Sequence, residues 1–303
     1  MSMNIFKKIL VSFCIIVFSV SCFIGCGQSK KDEPKTGLKI TTSFYPVYIA
    51  TLNVTQGVNG VSVTNMTKPQ TGCLHDYQLT TEDMKKLEKT DILVINGAGM
   101  ESFIEKAVKQ QKNMKIIDSS QGIKLLKDEK ENNPHYWLSI SKEIEQINNI
   151  ADQLSKLDPA NKDKYKSNAS EYINKLNKLS NEAKKALNEL KNREIVTFHE
   201  AFPYFADEFN LKIAAVVERE PGSEPTPKEL EDVINIVRYL PVKVLFTEPQ
   251  YSTAAADLIA KETGAKIYQL DPVVTGKADE SAKDMYIITM KKNIQVLKEA
   301  LNQ

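Results

Sequence analysis

Across residues 160–191 apolar side chains recur at steps of three and four. Tyr165, Ala169, Tyr172, Leu176, Leu179, Ala183, Leu187 and Leu190 fall on one stripe, and Lys, Asn, Glu and Ser fill the opposite face. Neither Gly nor Pro interrupts the run, so the pattern predicts one long helix. At ~1.5 Å per residue it would extend about 45 Å, enough to cross the back of two lobes rather than sit inside one.

On either side of this stretch short apolar runs alternate with amphipathic ones. Strands are expected at 38–42, 61–66, 91–96 and 114–117, with helices near 47–56, 81–88 and 100–110, and a further helix at 141–156 that stops before Asp158-Pro159. The alternation resumes with strands at 194–198, 213–217, 242–247 and 266–270. Helices near 200–209, 226–239 and 253–263 separate them, and a last helix at 281–301 closes the chain. Strands that alternate with helices need crossover connections and so form parallel sheets. The fold expected is α/β: two similar lobes with mostly parallel sheets, 38–159 and 192–303, joined by one long rigid helix, 160–191.

The first residues follow a different pattern. Lys7 and Lys8 precede an apolar run from Ile9 to Ile24, small Gly25 comes just before Cys26, and a polar stretch leads on to Lys35. This reads as a secretory signal, 1–25, followed by a flexible tether, 26–37. Phe23-Ile24-Gly25-Cys26 resembles a bacterial lipobox, which makes Cys26 the lipidation site, with Cys22 as a poorer candidate. Removing the signal leaves Cys73 as the one other cysteine, so no internal disulfide is expected. The formal charge of +1 drops to −1 when counted from Cys26 onward, a balance that points away from a nucleic-acid partner.

The chain has three histidines, His75, His135 and His199, each in a loop that leaves the carboxyl end of a predicted strand or its extension. Open α/β sheets bind ligands outside those ends, and the same rule picks out Glu248 and Asp271, each followed by Pro. Read singly, a loop histidine is as well explained by solvation or a structural hydrogen bond. Either carboxylate is as well explained by a cap or a turn.

The segments around these residues, taken in order, resemble a known family: the metal-binding receptors of ABC importers for zinc and manganese. Thr71-Gly72-Cys73-Leu74-His75-Asp76-Tyr77 is similar to the family's first metal-histidine segment and Asn133-Pro134-His135-Tyr136-Trp137-Leu138 to its second. Phe198-His199-Glu200-Ala201-Phe202-Pro203 is similar to the third, Phe246-Thr247-Glu248-Pro249-Gln250 to a typical strand end, and Leu270-Asp271-Pro272 to the fourth. The resemblance implies His75, His135, His199 and Asp271 as metal ligands, with Glu248, Glu200 and Asp76 as candidates to hydrogen-bond a ligand imidazole from behind. Three imidazoles and a carboxylate suit a closed four-coordinate Zn²⁺ site, with Mn²⁺ as the second choice, because manganese receptors of the family tend to place a carboxylate where His199 stands.

The chain departs from the family pattern at two places. Leu74 replaces the usual Pro before the first histidine, and Cys73, two residues from His75, offers a thiolate in place of Asp271. Residues 125–133 carry no histidine, so the His-rich loop of many zinc members is missing. The function implied is an extracytoplasmic, monomeric lipoprotein, tethered to the bacterial cell membrane, that captures Zn²⁺ between its lobes and delivers it to an ABC permease without bond chemistry. A zinc-dependent hydrolase and a surface adhesin are the readings from other classes.

Overall fold

The computed structural model describes residues 37–75, 77–127, 131–217 and 224–303. The expected signal segment, and all of the tether except Gly37, lie outside the described residues. In the first lobe β1 (Leu38–Thr42), β2 (Val61–Asn65), β3 (Ile92–Ile95) and β4 (Lys115–Asp118) form a parallel sheet in the order β2-β1-β3-β4. Their connections run through α1 (Tyr45–Thr55), α2 (Thr81–Glu88) and α3 (Glu105–Gln110). After α4 (Ile140–Leu157) and α5 (Lys162–Asn188), the second lobe repeats the plan. There β5 (Glu194–Thr197), β6 (Lys212–Val216), β7 (Val244–Thr247) and β8 (Lys266–Gln269) pair in parallel in the order β6-β5-β7-β8. Its helices are α6 (Pro203–Glu208), α7 (Pro227–Tyr239), α8 (Ala254–Thr263) and α9 (Met285–Leu301). The two-lobed α/β fold with parallel sheets and one long helix is therefore as the alternation predicts.

Helix α5 is the predicted spine, trimmed at both ends. Residues Pro159–Asn161 form a separate 3₁₀ turn, and the side chains of Asn161 and Tyr165 both donate to Asp158 Oδ2, at 2.7 and 2.8 Å, which fixes the corner with α4. At the far end Arg193 donates to the carbonyls of Leu187 and Asn188, both at 3.1 Å, and so satisfies the last carbonyls where the helix stops. The whole predicted stripe is buried, packed against α4, α1 and α9. Helix α1 is buried on every side, as a helix apolar all round must be. Asn168 on α5 closes the end of α1 by donating to the carbonyls of Val54 and Gln56 at 2.9 and 2.7 Å.

One continuous apolar core runs under this layer from Ile40 in the first sheet through Tyr172 and Leu176 to Phe246 and Leu270 in the second. The lobes share a core instead of meeting through a thin hinge. Three expected helices begin later than the periodicity suggests, among them α9, where Glu280–Asp284 forms a 3₁₀ turn ahead of Met285. Residues 200–202 belong to the turn out of β5, and α6 starts at Pro203, where a residue without an N–H costs nothing. The stretch ahead of α3 is held as a turn by Gly97, Ala98 and Gly99, all at positive φ.

Candidate metal centre

Each functional candidate sits where a strand ends. His75 lies in the β2–α2 connection, His135 in the β4–α4 connection, His199 two residues beyond β5, Glu248 directly after β7 and Asp271 two residues beyond β8. The loop of His135 is stapled to the second lobe. Trp137 Nε1 donates to the Pro272 carbonyl at 2.9 Å, Tyr286 Oη to the Trp137 carbonyl at 2.8 Å, and Tyr204 Oη to the Asn133 carbonyl at 2.7 Å. The loop of His75 is tied across as well: Gly276 N donates to Pro69 O at 2.8 Å, and Cys73 N to Tyr251 Oη at 3.3 Å. The first lobe's ligand loops therefore rest on the second lobe's framework.

These ties bring the three histidines together. One donor atom from each of His75, His135, His199 and Cys73 lies within 4.8 Å of every other. His75 Nε2 and His135 Nε2 are 3.1 Å apart. His135 and His199 are each 2 % exposed, whereas His75 and Cys73 are half-buried.

Asn133 determines which nitrogen of His135 faces the others. Its Nδ2 donates to the Glu200 carbonyl at 2.8 Å, so its Oδ1 is the group that receives the His135 backbone N–H and the ring Nδ1, both at 3.0 Å. Nδ1 must then carry the proton, which leaves a lone pair on Nε2 aimed at His75. The sequence reading missed Asn133. The available signal was a short polar side chain two residues before a candidate ligand, the spacing at which Asn bonds back to the backbone.

Glu248 stands beside His199. The carboxylate is 1 % exposed, its Oε1 lies 3.3 Å from His199 Nδ1, and its Oε2 accepts from Gln250 Nε2 at 2.7 Å. Both ring nitrogens of His199 and Oε1 of Glu248 are buried without a hydrogen-bond partner. Burial first, and then the neighbouring His199 and His75, hold His135 well below the usual imidazole range. An imidazole held neutral in this way keeps a lone pair available on the nitrogen that does not carry the proton.

The remaining candidates lie apart from this group or at its margin. Asp271 is not in it: its Oδ1 accepts the Val273 amide at 2.8 Å, fixing a turn in which Val273 has φ 65°, and burial pushes its carboxyl up. Glu200 lines the cavity over the site, and Asp76 lies outside the described residues. That cavity is about 610 Å³ and is lined by the three histidines together with Asp118, Glu131 and Glu200. Carboxylates at a mouth draw cations toward it and repel anions. The aromatic residues Tyr136, Trp137, Phe202, Tyr204 and Phe205 are buried as walls and core.

Residues 40–300 match the family model described as ZnuA: Zinc-uptake complex component A periplasmic. Among curated relatives, the chain is 30% identical to the high-affinity zinc uptake system protein ZnuA of Bacillus subtilis, covering 93% of this chain and 95% of that protein. It is 29% identical to the zinc-binding lipoprotein AdcA of Streptococcus pneumoniae, over 98% of this chain but only 62% of AdcA. Among solved structures it is similar to the binding protein FpvC of Pseudomonas aeruginosa in complex with Mn²⁺. The TM-score there is 0.79 at 31% identity, over 88% of this chain and 98% of that one.

Proposed function

Because the chain belongs to the ZnuA family of zinc-uptake components, we propose that it is a receptor that binds Zn²⁺ through His75, His135 and His199 and passes it to an ABC permease. The family is one of binding proteins, and the chain is not an enzyme. The observation that carries the reading is the convergence of three imidazoles, drawn from both lobes, on one point. Four ligands at ~2.0–2.3 Å around zinc set their donor atoms roughly 3.3–3.8 Å apart. The 3.1 Å between His75 Nε2 and His135 Nε2 is close to such an edge. The wider donors need to move by an ångström or so, a loop adjustment and not a lobe closure.

In this reading the histidines replace the hydration shell of the ion. Asn133 holds the His135 ring in the tautomer that leaves a nitrogen free for metal, Glu248 sets a carboxylate behind His199, and the carboxylates that line the cavity gather cations from solution. Two residues compete for the fourth position: Asp271 by resemblance and Cys73 by proximity. The same proposal includes removal of the signal, lipid attachment at Cys26, and a monomer held outside the cell membrane by the tether. Support for it comes from the Lys7-Lys8 and apolar pattern and from the unbroken core beneath α5, which favours a receptor that shifts little on binding.

Native mass spectrometry after exchange against equimolar Zn²⁺ and Mn²⁺ tests this function. One zinc per chain is expected. Stoichiometric manganese retained against zinc, or no bound metal, contradicts it.

A further inference from the structure

The geometry points to Cys73 as the fourth ligand, so that the ion is held by one thiolate and three imidazoles. This inference rests on the receptor reading and refines its metal chemistry. Cys73 and His75 flank Leu74, which is fully buried in the main core. With Leu74 turned inward, the two donors on either side of it reach the same point as His135 and His199.

The loop is shaped to bring the sulfur there. Tyr251, from the second lobe, accepts the Cys73 backbone N–H, and its ring lies edge-on to His199 with centroids 6.4 Å apart. A Cβ on Gly72 would come within 2.6 Å of the Tyr251 hydroxyl, so the glycine lets the tyrosine approach and hold the loop against the site. A second observation points to a ligand at the same place: His199, deeply buried, has both ring nitrogens without a hydrogen-bond partner. Asp271, by contrast, already spends one oxygen on the Val273 amide and stands outside the donor group.

The substitution changes which metal the site takes. Thiolate and imidazole are donors that zinc accepts readily, whereas manganese favours carboxylate, carbonyl and water oxygens. The thiol gives up its proton to solvent as the ion binds, and the resulting charge, with the carboxylate of Glu248 behind His199, balances the two positive charges of the metal. Cys73 thereby adds to the histidines a discrimination against manganese that a carboxylate in the fourth position would relax.

Cobalt serves as the probe, because thiolate ligation to Co²⁺ gives an intense near-ultraviolet charge-transfer band that imidazole and carboxylate do not. One equivalent of Co²⁺ should develop this band in the native protein and not in Cys73→Ser. Zinc affinity in that variant should fall at least about tenfold with manganese affinity little changed. A second variant, Cys73→Asp, should retain binding and move the preference toward manganese. One equivalent of cobalt bound without the band, together with Asp271→Asn weakening zinc, overturns thiolate ligation and leaves the receptor reading standing. Absence of stoichiometric cobalt and zinc overturns both.

Discussion

The cleft and the spine of this molecule both bury groups that prefer water, and they deal with the cost in opposite ways. Along the spine, where α4 packs on α5, Glu143 of α4 is 1 % exposed, both of its carboxyl oxygens lack a hydrogen-bond partner, and burial pushes its acid up to about 8. It can stay there by keeping its proton. In the cleft burial acts on a base, His135, as well as on the acid of Asp271. His135 is held below the usual range, which favours its neutral form, and its Nε2 lies 3.1 Å from His75 Nε2. A carboxyl is neutralised by a proton it already owns; converging imidazoles need a cation from outside. Desolvation in one region stabilises the fold's own neutral form, and in the other it favours the unprotonated imidazole that the proposed metal binding requires.

This contrast predicts that stability and metal affinity can be disturbed separately. The largest effect should come from His135→Ala, with zinc affinity falling by more than the ~10–100-fold that loss of an outer partner costs. The melting temperature of the metal-free protein should barely move. Calorimetric titration beside a thermal melt checks both, and a collapse of the fold would erase the distinction. Next comes the converse, Leu176→Ala in the spine: about 2–5 kcal/mol of stability lost in denaturant unfolding, with zinc affinity within a factor of two. A large loss of affinity there would mean that the spine shapes the site directly.

Asn133→Ala should weaken zinc about 10–100-fold, because His135 loses the acceptor that fixes its tautomer. Asn133→Asp should recover much of the binding, since a carboxylate oxygen can accept the same Nδ1–H. Equal losses in the two variants would deny the tautomer argument.

The smallest effect concerns pH. The Glu143 acid is raised in the fold from 4.5 to about 8, so its contribution is fully present below pH 4.5 and is lost as pH rises toward 8. The depressed His135 acts with the opposite sign: its contribution is present above about pH 6.5 and lost as pH falls below it. Glu143→Gln should therefore flatten the decline of the metal-free melting temperature between pH 5 and 8. Parallel curves for the two proteins would show that Glu143 ionises without penalty.

The two regions were also unequally legible in the sequence. The spine could be read almost residue by residue, because a stripe of period 3.6 is a local signal; only its ends, set by Asp158 and Arg193 side chains, were hidden. The three histidines could be placed at strand ends by topology, and the structure brings them together. Asn133 was missed because its role depends on a hydrogen bond to Glu200, 67 residues away. The neighbourhood of Cys73 was equally out of reach, since the tyrosine that holds its loop is 178 residues further along the chain. Local pattern names elements, whereas which donors share a point is settled by contacts across the lobes.

The central claim is that the buried imidazoles of both lobes form one zinc site, and competition titration with a chromogenic chelator, run on the native protein and His199→Ala, tests it most directly. The account predicts one zinc per chain taken from the chelator by the native protein and none retained by the variant at the same chelator strength. Equal zinc capture by the two proteins would contradict it, because the second lobe would then contribute no ligand through His199.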